Sequence, residues 1–224
     1  MDAELRVLLK WAVVGICGGS ALQGGEAFWP EFRGTTAQGH SDAKGLPTEW
    51  SREKNIVWRA ELTGRAWSSP IVAKGMVFLT NAVPLEVGDE RKGVSLRVLA
   101  FDADTGGVSW DTEVFRVTDE AALRMNKKNS HASPTPVYEA GRIFAHFGHY
   151  GTACLDENGK VLWSNRAHSH KAGHGIGGSP VVVREVLIFN QDANVSPGVV
   201  ALDKGTGRTR WRVERPATKA RNTG

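Results

Sequence analysis

Short apolar runs, separated by turns that contain glycine or aspartate, recur along most of the chain. Runs such as MVFLT, RIFAHF and VLIFN are rich in β-branched and aromatic residues and too short to form typical helices. A Ser-Pro segment and a further short run stand before each of them: SSPIV, ASPTPV and GSPVVV. Proline is tolerated at the first residue of a strand. The pattern therefore predicts an all-β protein.

Three segments end on the same motif: AFDADTGGVSW, CLDENGKVLW and ALDKGTGRTRW. Each contains an aspartate, a glycine and, four residues after that glycine, a tryptophan. The motif residues are Asp102, Gly106 and Trp110; Asp156, Gly159 and Trp163; and Asp203, Gly207 and Trp211. Trp58 has the same strand-like surroundings without the glycine. A strand-rich unit repeated about every 50 residues predicts a β-propeller or a similar array.

Each unit predicts four antiparallel strands, which form one blade. The predicted strands are 69–73, 76–82, 95–102 and 107–113; then 134–138, 142–147, 150–155 and 160–165; then 179–183, 186–190, 198–202 and 208–214. Residues 55–61 are predicted as one orphan outer strand, and insertions are expected at Pro84–Gly93 and Arg116–Ser130, the latter with one or two helical turns in DEAALRM. The expected fold is a propeller of three blades plus the orphan strand, an incomplete ring.

The motif residues have a structural interpretation. The aspartate can accept hydrogen bonds from turn N–H groups, and glycine adopts a positive φ without a steric penalty. A tryptophan at a fixed position can wedge between neighbouring units. We therefore expect these residues to shape the blades rather than to carry chemistry.

The N-terminus resembles a secretory signal. Residues Trp11–Leu22 are apolar or small, and Arg6 and Lys10 precede them. We expect a signal peptide at 1–27, an irregular segment at 28–54, the repeats at 55–215 and a polar tail at 216–224. A frayed N-terminal helix is the alternative. The protein is then exported, to the periplasm or the outside of the cell, without an integral membrane segment after signal removal. Cleavage would leave Cys154 without an intrachain disulfide partner.

The charge pattern argues against nucleic-acid binding. The 28 Lys and Arg residues nearly balance 24 Asp and Glu residues, and no run of five basic residues occurs. Six of the seven histidines lie between 131 and 174, but no carboxylate or thiolate joins them at ligand spacing. We expect no metal site and no catalytic residue.

Several segments resemble the pyrroloquinoline-quinone (PQQ)-like β-propeller repeat of exported bacterial proteins, in the quinoprotein alcohol dehydrogenase-like superfamily. They are WPEFRG, LPTEWSREKNIVW, RAWSSP, HASPTPV, HFGHYGTACLD and ALDKGTGRTRW, and the resemblance extends essentially over residues 28–215. The resemblance implies one of two functions. Some members are quinone-dependent alcohol dehydrogenases that use PQQ and Ca²⁺, and many of those have an adjacent cysteine pair, which this sequence lacks. Others are non-catalytic scaffolds, one of them a lipoprotein in outer-membrane protein assembly.

We therefore expect a non-catalytic scaffold without a cofactor, with a dehydrogenase or its remnant as the alternative. Three units are fewer than the usual range of about 4–8 blades. The sequence is thus expected to be a truncated propeller, an arc completed by another chain, or a non-functional fragment. Self-association through open sheet edges is a further expectation.

In a propeller, the loops that enter the innermost strand and the loops that join the two middle strands lie on one face. That loop face is the expected binding surface for a protein or small-molecule ligand. Its candidate residues are Arg65, Trp67, Asn129, His131, His149, Tyr150, His174 and Asp192. The simpler interpretation is that these side chains bond only to the loops around them.

Overall fold

Three four-stranded antiparallel sheets make up the described chain and confirm the predicted all-β fold. The structure is a computed structural model that describes residues 27–119, 123, 126, 128–168, 175–192 and 196–216. Blade 1 contains β1 (Ile71–Ala73), β2 (Met76–Glu86), β3 (Asp89–Asp102) and β4 (Val108–Val117). Blade 2 contains β5 (Val137–Glu139), β6 (Arg142–His146), β7 (Thr152–Asp156) and β8 (Val161–Asn165). Blade 3 contains β9 (Val181–Val183), β10 (Val186–Gln191), β11 (Gly198–Asp203) and β12 (Thr209–Glu214).

The strands of each blade pair in chain order, from the innermost to the outermost strand. Consecutive hairpins therefore build each sheet, and the blades pack face to face as a partial propeller. The predicted signal peptide and polar tail fall almost wholly outside the described residues, and so does most of DEAALRM.

The prediction of an insertion at Pro84–Gly93 is wrong. These residues extend the β2–β3 hairpin instead of interrupting it, and Pro84 pairs with Val94 in its ladder. An irregularity between Pro84 and Glu86 accommodates the proline, and Gly88 takes the turn with a φ of 82°. The fourth strand is longer too, because β4 continues beside the extended β3 as far as Val117.

The prediction of an orphan strand at 55–61 is also wrong. The structure assigns no strand there, and only Ala60 forms a single bridge. A strand is defined by its ladder with a neighbour, and none of the three described sheets includes this segment. Trp58 nevertheless packs against blade 1, beside Phe101.

The same cross-strand row of four side chains occurs in all three blades, and we call it the docking row. In blade 1, Ile71 lies opposite Phe78, Phe78 opposite Ala100, and Ala100 opposite Trp110. The docking rows are Ile71–Phe78–Ala100–Trp110, Val137–Phe144–Cys154–Trp163 and Val181–Ile188–Ala201–Trp211. Paired residues of an antiparallel ladder share one face, so each row forms one apolar surface.

Three tryptophans each bond to the next turn in the array. Trp110 donates its indole N–H to the carbonyl oxygen of Glu157 at 2.8 Å, in the turn that contains Gly159. Trp163 bonds to Lys204 in the same way at 3.0 Å, and Trp58 bonds to Ala103 at 2.8 Å. The tryptophan of one unit thus contacts the turn of the next unit across the interface between them, as the wedge interpretation predicts.

Glycine is required in these turns for two reasons. Gly159 has a φ of 80°, and a Cβ there would lie 2.7 Å from Cδ2 of Trp110. Gly106 and Gly207 have the same two constraints, from Trp58 and Trp163. Glycine at this position therefore allows the positive φ and leaves room for the indole of the preceding unit.

The motif aspartates hold the turns. Asp102 Oδ1 accepts hydrogen bonds from the N–H groups of Asp104 and Thr105 and from the Thr105 hydroxyl. Asp203 repeats this set with the two residues equivalent to Asp104 and Thr105. These bonds lower the pKa of both Asp102 and Asp203.

Polar residues at the start of each innermost strand tie the blades together near the axis. The Ser69 N–H donates to the Thr135 hydroxyl at 3.1 Å, and the Thr135 N–H donates to the Ser179 hydroxyl at 2.9 Å. The N-terminal segment adds to this. Trp29 pairs with Val72, and Pro30 accepts a hydrogen bond from the N–H of Tyr138.

We expect the substitution Trp110→Ala to lower the free energy of unfolding by about 3 kcal/mol, measured in urea melts. The indole covers Gly159 and bonds to Glu157, and its loss opens the interface between blades 1 and 2. The value is at the low end of the range for aromatic deletions because the ring is half-buried.

Trp50→Ala is the matched control, since Trp50 is 59% exposed. Its substitution should change the free energy of unfolding by less than about 0.5 kcal/mol. Equal effects of the two substitutions would contradict the role of the docking tryptophan.

Candidate ligand-binding face

The candidate residues come from the loops that precede the innermost strands and from the loops that join the two middle strands. Arg65 and Trp67 precede β1, and Asn129 and His131 precede β5. His149 and Tyr150 belong to a 3₁₀ turn, Gly148–Tyr150, between β6 and β7. Asp192 directly follows β10, and His174 lies outside the described residues.

His131, His149 and Tyr150 form one contact cluster. The Nδ1 atom of His131 lies 2.5 Å from the Tyr150 hydroxyl, and both side chains are buried. The rings of His149 and Tyr150 are 3.8 Å apart between centroids, and the His149 side chain is half-buried. Two loops of blade 2, the one before β5 and the one between β6 and β7, thus contact each other.

Arg65 and Glu90 add an ion pair to this cluster. The Arg65 Nε atom lies 2.9 Å from Glu90 Oε1, with the two side chains 42% and 23% exposed. Glu90 sits in the extended β2–β3 hairpin, which brings it back over the loop before β1. Sequence reasoning missed Glu90 because the hairpin was predicted to be an insertion. The available sequence signal was Gly88, a turn residue that forms a tight turn with Val87 between the two paired strands.

Burial sets the protonation of the cluster. It lowers the pKa of His131 to about 4, with His149 and Arg65 acting in the same direction. Burial also raises the pKa of Tyr150, to which the charge of Glu90 contributes. The pKa of Glu90 is raised, because burial outweighs the opposing effect of the Arg65 charge. At neutral pH, His131 and Tyr150 are therefore uncharged beneath the Arg65–Glu90 pair.

The 3₁₀ turn is held from behind. Gly148 has a φ of 56°, and a Cβ there would lie 1.9 Å from Cγ2 of Ile176. Arg166 donates from Nε to the Tyr150 carbonyl oxygen at 3.1 Å and lies over the Phe115 ring. The positions of His149 and Tyr150 therefore depend on packing from blades 1 and 2 and from the segment before blade 3.

The other candidates lie outside this cluster. The Oδ1 atom of Asn129 accepts hydrogen bonds from the Ser130 N–H and the Ser133 hydroxyl, so Asn129 stabilises its own loop. Asp192 forms an ion pair with Arg215 in blade 3. Trp67 is half-buried. The simpler interpretation thus describes Asn129 and Asp192.

The described residues offer little support for a metal or thiol chemistry. They contain no group of three or more His, Cys, Asp or Glu side chains that could hold a metal ion. Cys154 is buried in the docking row of blade 2, and burial raises its pKa to about 12. Cys154 is therefore a packing residue.

We expect the folding stability to fall as the pH drops from about 6.5 towards 4, with His131 as one cause. The unfolded chain binds a proton at His131 in this range and the native protein does not, so the native state loses up to about 1.4 kcal/mol per pH unit. The substitution His131→Gln should reduce this slope, measured by urea melts at pH 5 to 7.

His40→Gln is the control, because His40 is exposed. It should leave the slope as in the unsubstituted protein. An unchanged slope in His131→Gln would contradict the buried, neutral state of His131.

Comparisons with known proteins place this architecture in a family. A family model described as outer membrane protein assembly factor BamB matches residues 33–127 and 94–224. A search of curated protein sequences finds no match. Among the residues that the structure describes, none forms a helix that could span a lipid bilayer.

Three solved structures are similar to part of the chain, each with a TM-score of 0.49. A europium-containing methanol dehydrogenase is 22% identical, over 65% of this chain and 24% of its own. A quinohemoprotein alcohol dehydrogenase from Comamonas testosteroni is 19% identical, over 68% and 21%. BamB from Moraxella catarrhalis is 15% identical, over 71% and 43%. The chain thus spans less than half the length of each.

The family match extends over well more than half of the chain, and its two segments overlap in the repeats described above. The order of strands, the docking rows and the turn motifs agree with the resemblance that the sequence indicated. The chain belongs to the family of the outer membrane protein assembly factor BamB, and its fold is a partial PQQ-like β-propeller.

Proposed function

We propose that this chain is an exported, non-catalytic scaffold module that binds a protein or small-molecule ligand at its loop face. The observation that carries the proposal is the cluster of Arg65, Glu90, His131, His149 and Tyr150. It joins the loops of two neighbouring blades. Binding sites often sit on loops that a rigid scaffold positions.

The chemistry of the cluster suits a polar ligand with an aromatic or apolar part. Arg65 and Glu90 offer one charge of each sign at the surface, and His149 is half-buried beside them. Tyr150 and His131 form an uncharged, buried floor. Aromatic side chains with a few polar or charged groups at the rim are common in ligand sites and interface cores.

Family membership is one support for the scaffold. The matching family model carries the description of an outer membrane protein assembly factor. That role, and the periplasmic location that goes with it, are part of our proposal for this chain.

The dehydrogenase alternative needs PQQ and Ca²⁺. Two observations favour the proposal without a cofactor: the described residues contain no group of three or more His, Cys, Asp or Glu side chains that could hold a metal ion, and Cys154 has no cysteine neighbour in the sequence. We therefore propose no cofactor and derive no redox step.

We expect a photo-reactive amino acid in place of Arg65 to form a discrete adduct in the native host, recovered from the periplasmic fraction. Position 65 lies at the rim of the cluster. Lys74 is the control position, because it is exposed in the β1–β2 turn on the opposite face of blade 1. Equal labelling at positions 65 and 74, or none at either, would contradict a loop-face binding site.

We also expect Ca²⁺ and PQQ together to leave the thermal unfolding midpoint unchanged. A ligand that binds only the native state raises that midpoint in a saturable way. The measurement is a thermal melt over a range of PQQ concentrations at constant Ca²⁺, with Mg²⁺ in place of Ca²⁺ as the control. A saturable rise that requires Ca²⁺ would overturn the scaffold proposal in favour of the dehydrogenase.

A further inference from the structure

The turn of blade 2 contains the only Asn-Gly pair of the sequence, Asn158-Gly159. The equivalent turns of blades 1 and 3 have a threonine before the glycine, and the hydroxyls of Thr105 and Thr206 both bond to the motif aspartate of their turn. Asn158 is exposed, and no hydrogen bond joins its side-chain amide to another described residue. Blade 2 thus carries an asparagine whose side chain the turn does not use.

An Asn-Gly pair can rearrange without a catalyst. The main-chain nitrogen of the glycine attacks Cγ of the asparagine, the new N–Cγ bond closes a five-membered succinimide, and Nδ2 leaves as ammonia with the proton of the glycine amide. Water then opens the ring. Addition at Cγ gives aspartate, whereas addition at the main-chain carbonyl carbon gives isoaspartate, in which the main chain runs through the side-chain carbon. Glycine favours the attack because no side chain shields its nitrogen and its backbone is flexible.

Three contacts hold the reacting nitrogen in the native turn. The Gly159 N–H donates to the Asp156 carbonyl oxygen at 3.0 Å. The Trp110 indole lies over the glycine and bonds to the Glu157 carbonyl oxygen. The Thr112 hydroxyl donates to the Gly159 carbonyl oxygen at 2.8 Å. Ring closure requires the glycine N–H to leave its acceptor and the turn to rotate, so the contact with β4 opposes the reaction while blades 1 and 2 are docked.

The isoaspartate product does not fit the docked turn. It adds one main-chain carbon between Glu157 and Gly159, the two residues whose carbonyl oxygens accept the bonds from β4. It also adds a negative charge two residues from Asp156, whose carboxylate holds the turn through the N–H groups of residues 158 and 160. Like charges at this distance repel each other. Both changes oppose the return of the turn beneath the Trp110 indole.

We propose that Asn158 is a site of spontaneous deamidation, which opening of the contact between blades 1 and 2 makes reactive, and that isoaspartate at this position keeps the contact open. The reacting groups are the Asn158 side chain and the Gly159 main-chain nitrogen, and water is the co-reactant. Local openings of a native protein are transient. The site converts such an opening into a lasting modification, and it is independent of the loop-face ligand.

The first test is the rate of deamidation at position 158, measured by mass spectrometry of proteolytic peptides while the full chain is incubated. A synthetic peptide of residues 155–163 gives the rate of the unprotected sequence. We expect the native chain to react at least about tenfold more slowly than this peptide, because only its open fraction reacts. Trp110→Ala should approach the rate of the peptide. The milder Thr112→Val removes only the bond to Gly159 and should give a rate in between.

Two substitutions are matched controls for the rate. Asn158→Gln keeps an amide but would have to close a six-membered ring, so residue 158 should keep its mass over the same time. Ser109→Ala alters an exposed side chain of β4 whose hydroxyl lies near Met76 instead of the turn. It should leave the rate as in the unsubstituted protein.

The second test is hydrogen exchange of the Trp110 indole N–H, measured by NMR on deamidated protein separated by ion exchange. We expect this N–H to be protected in the unmodified protein, because it bonds to Glu157, and to exchange at least about tenfold faster in the isoaspartate form. The Trp163 indole N–H, which bonds to blade 3, should stay protected. Asn158→Asp carries the charge without the extra carbon. It identifies the signals of the aspartate product, and its Trp110 N–H should exchange more slowly than that of the isoaspartate form.

Three results would overturn the proposal. The first is an equal rate in the native chain and the peptide, because docking would then not shield Asn158. The second is a rate in Thr112→Val equal to that of the unsubstituted protein, with the Trp163 indole N–H still protected as evidence that the variant is folded. The third is an isoaspartate form whose Trp110 N–H remains protected, since the modified turn would then still dock.

Discussion

The contact on which the structure depends is a tryptophan indole laid over a glycine turn of the next sheet. It combines a large buried apolar surface with one directed hydrogen bond, from the indole N–H to a turn carbonyl oxygen. The apolar part alone would allow the sheets to slide, and the hydrogen bond fixes their register. The glycine is needed because a Cβ would occupy the volume of the ring. Repetition of this one contact turns independent hairpins into an ordered array.

This contact has a direction, and the direction makes the two ends of the described arc unequal. Each tryptophan lies on the side of its unit that faces the following blade. The turn of blade 1 therefore takes an indole from the segment before it, and blade 3 carries a tryptophan whose following blade is not among the described residues. Trp58 fills the first blade's turn although its segment is not a strand. The docking function therefore requires only the indole and its bond. Trp211 is the equivalent tryptophan of blade 3, and its side chain is half-exposed.

The sequence predicted the blades well because their determinants are close together in the chain. Asp102, Gly106 and Trp110 fall within one turn and its following strand, so their spacing fixes local geometry. The loop-face cluster was predicted in part, since His131 and Tyr150 belong to loops of one blade. Glu90 was missed because its position depends on how far a hairpin extends, and Pro84 argued against that extension. The outer strand at 55–61 was mispredicted because strand formation needs a partner that lies elsewhere in space.

The loop-face cluster contains one buried polar atom whose burial opposes folding. His131 is 1% exposed, and its Nε2 atom has no hydrogen-bond partner among the described residues. An unsatisfied buried polar atom typically costs about 1–3 kcal/mol, and a hydrophobic residue would avoid that cost in a loop that only connects blades. The nearby Ser130 and Asn129 show that the same loop satisfies its other polar groups. The buried imidazole beside Arg65 and Glu90 is therefore consistent with the binding role that we propose for this face, because functional sites often give up some folding stability.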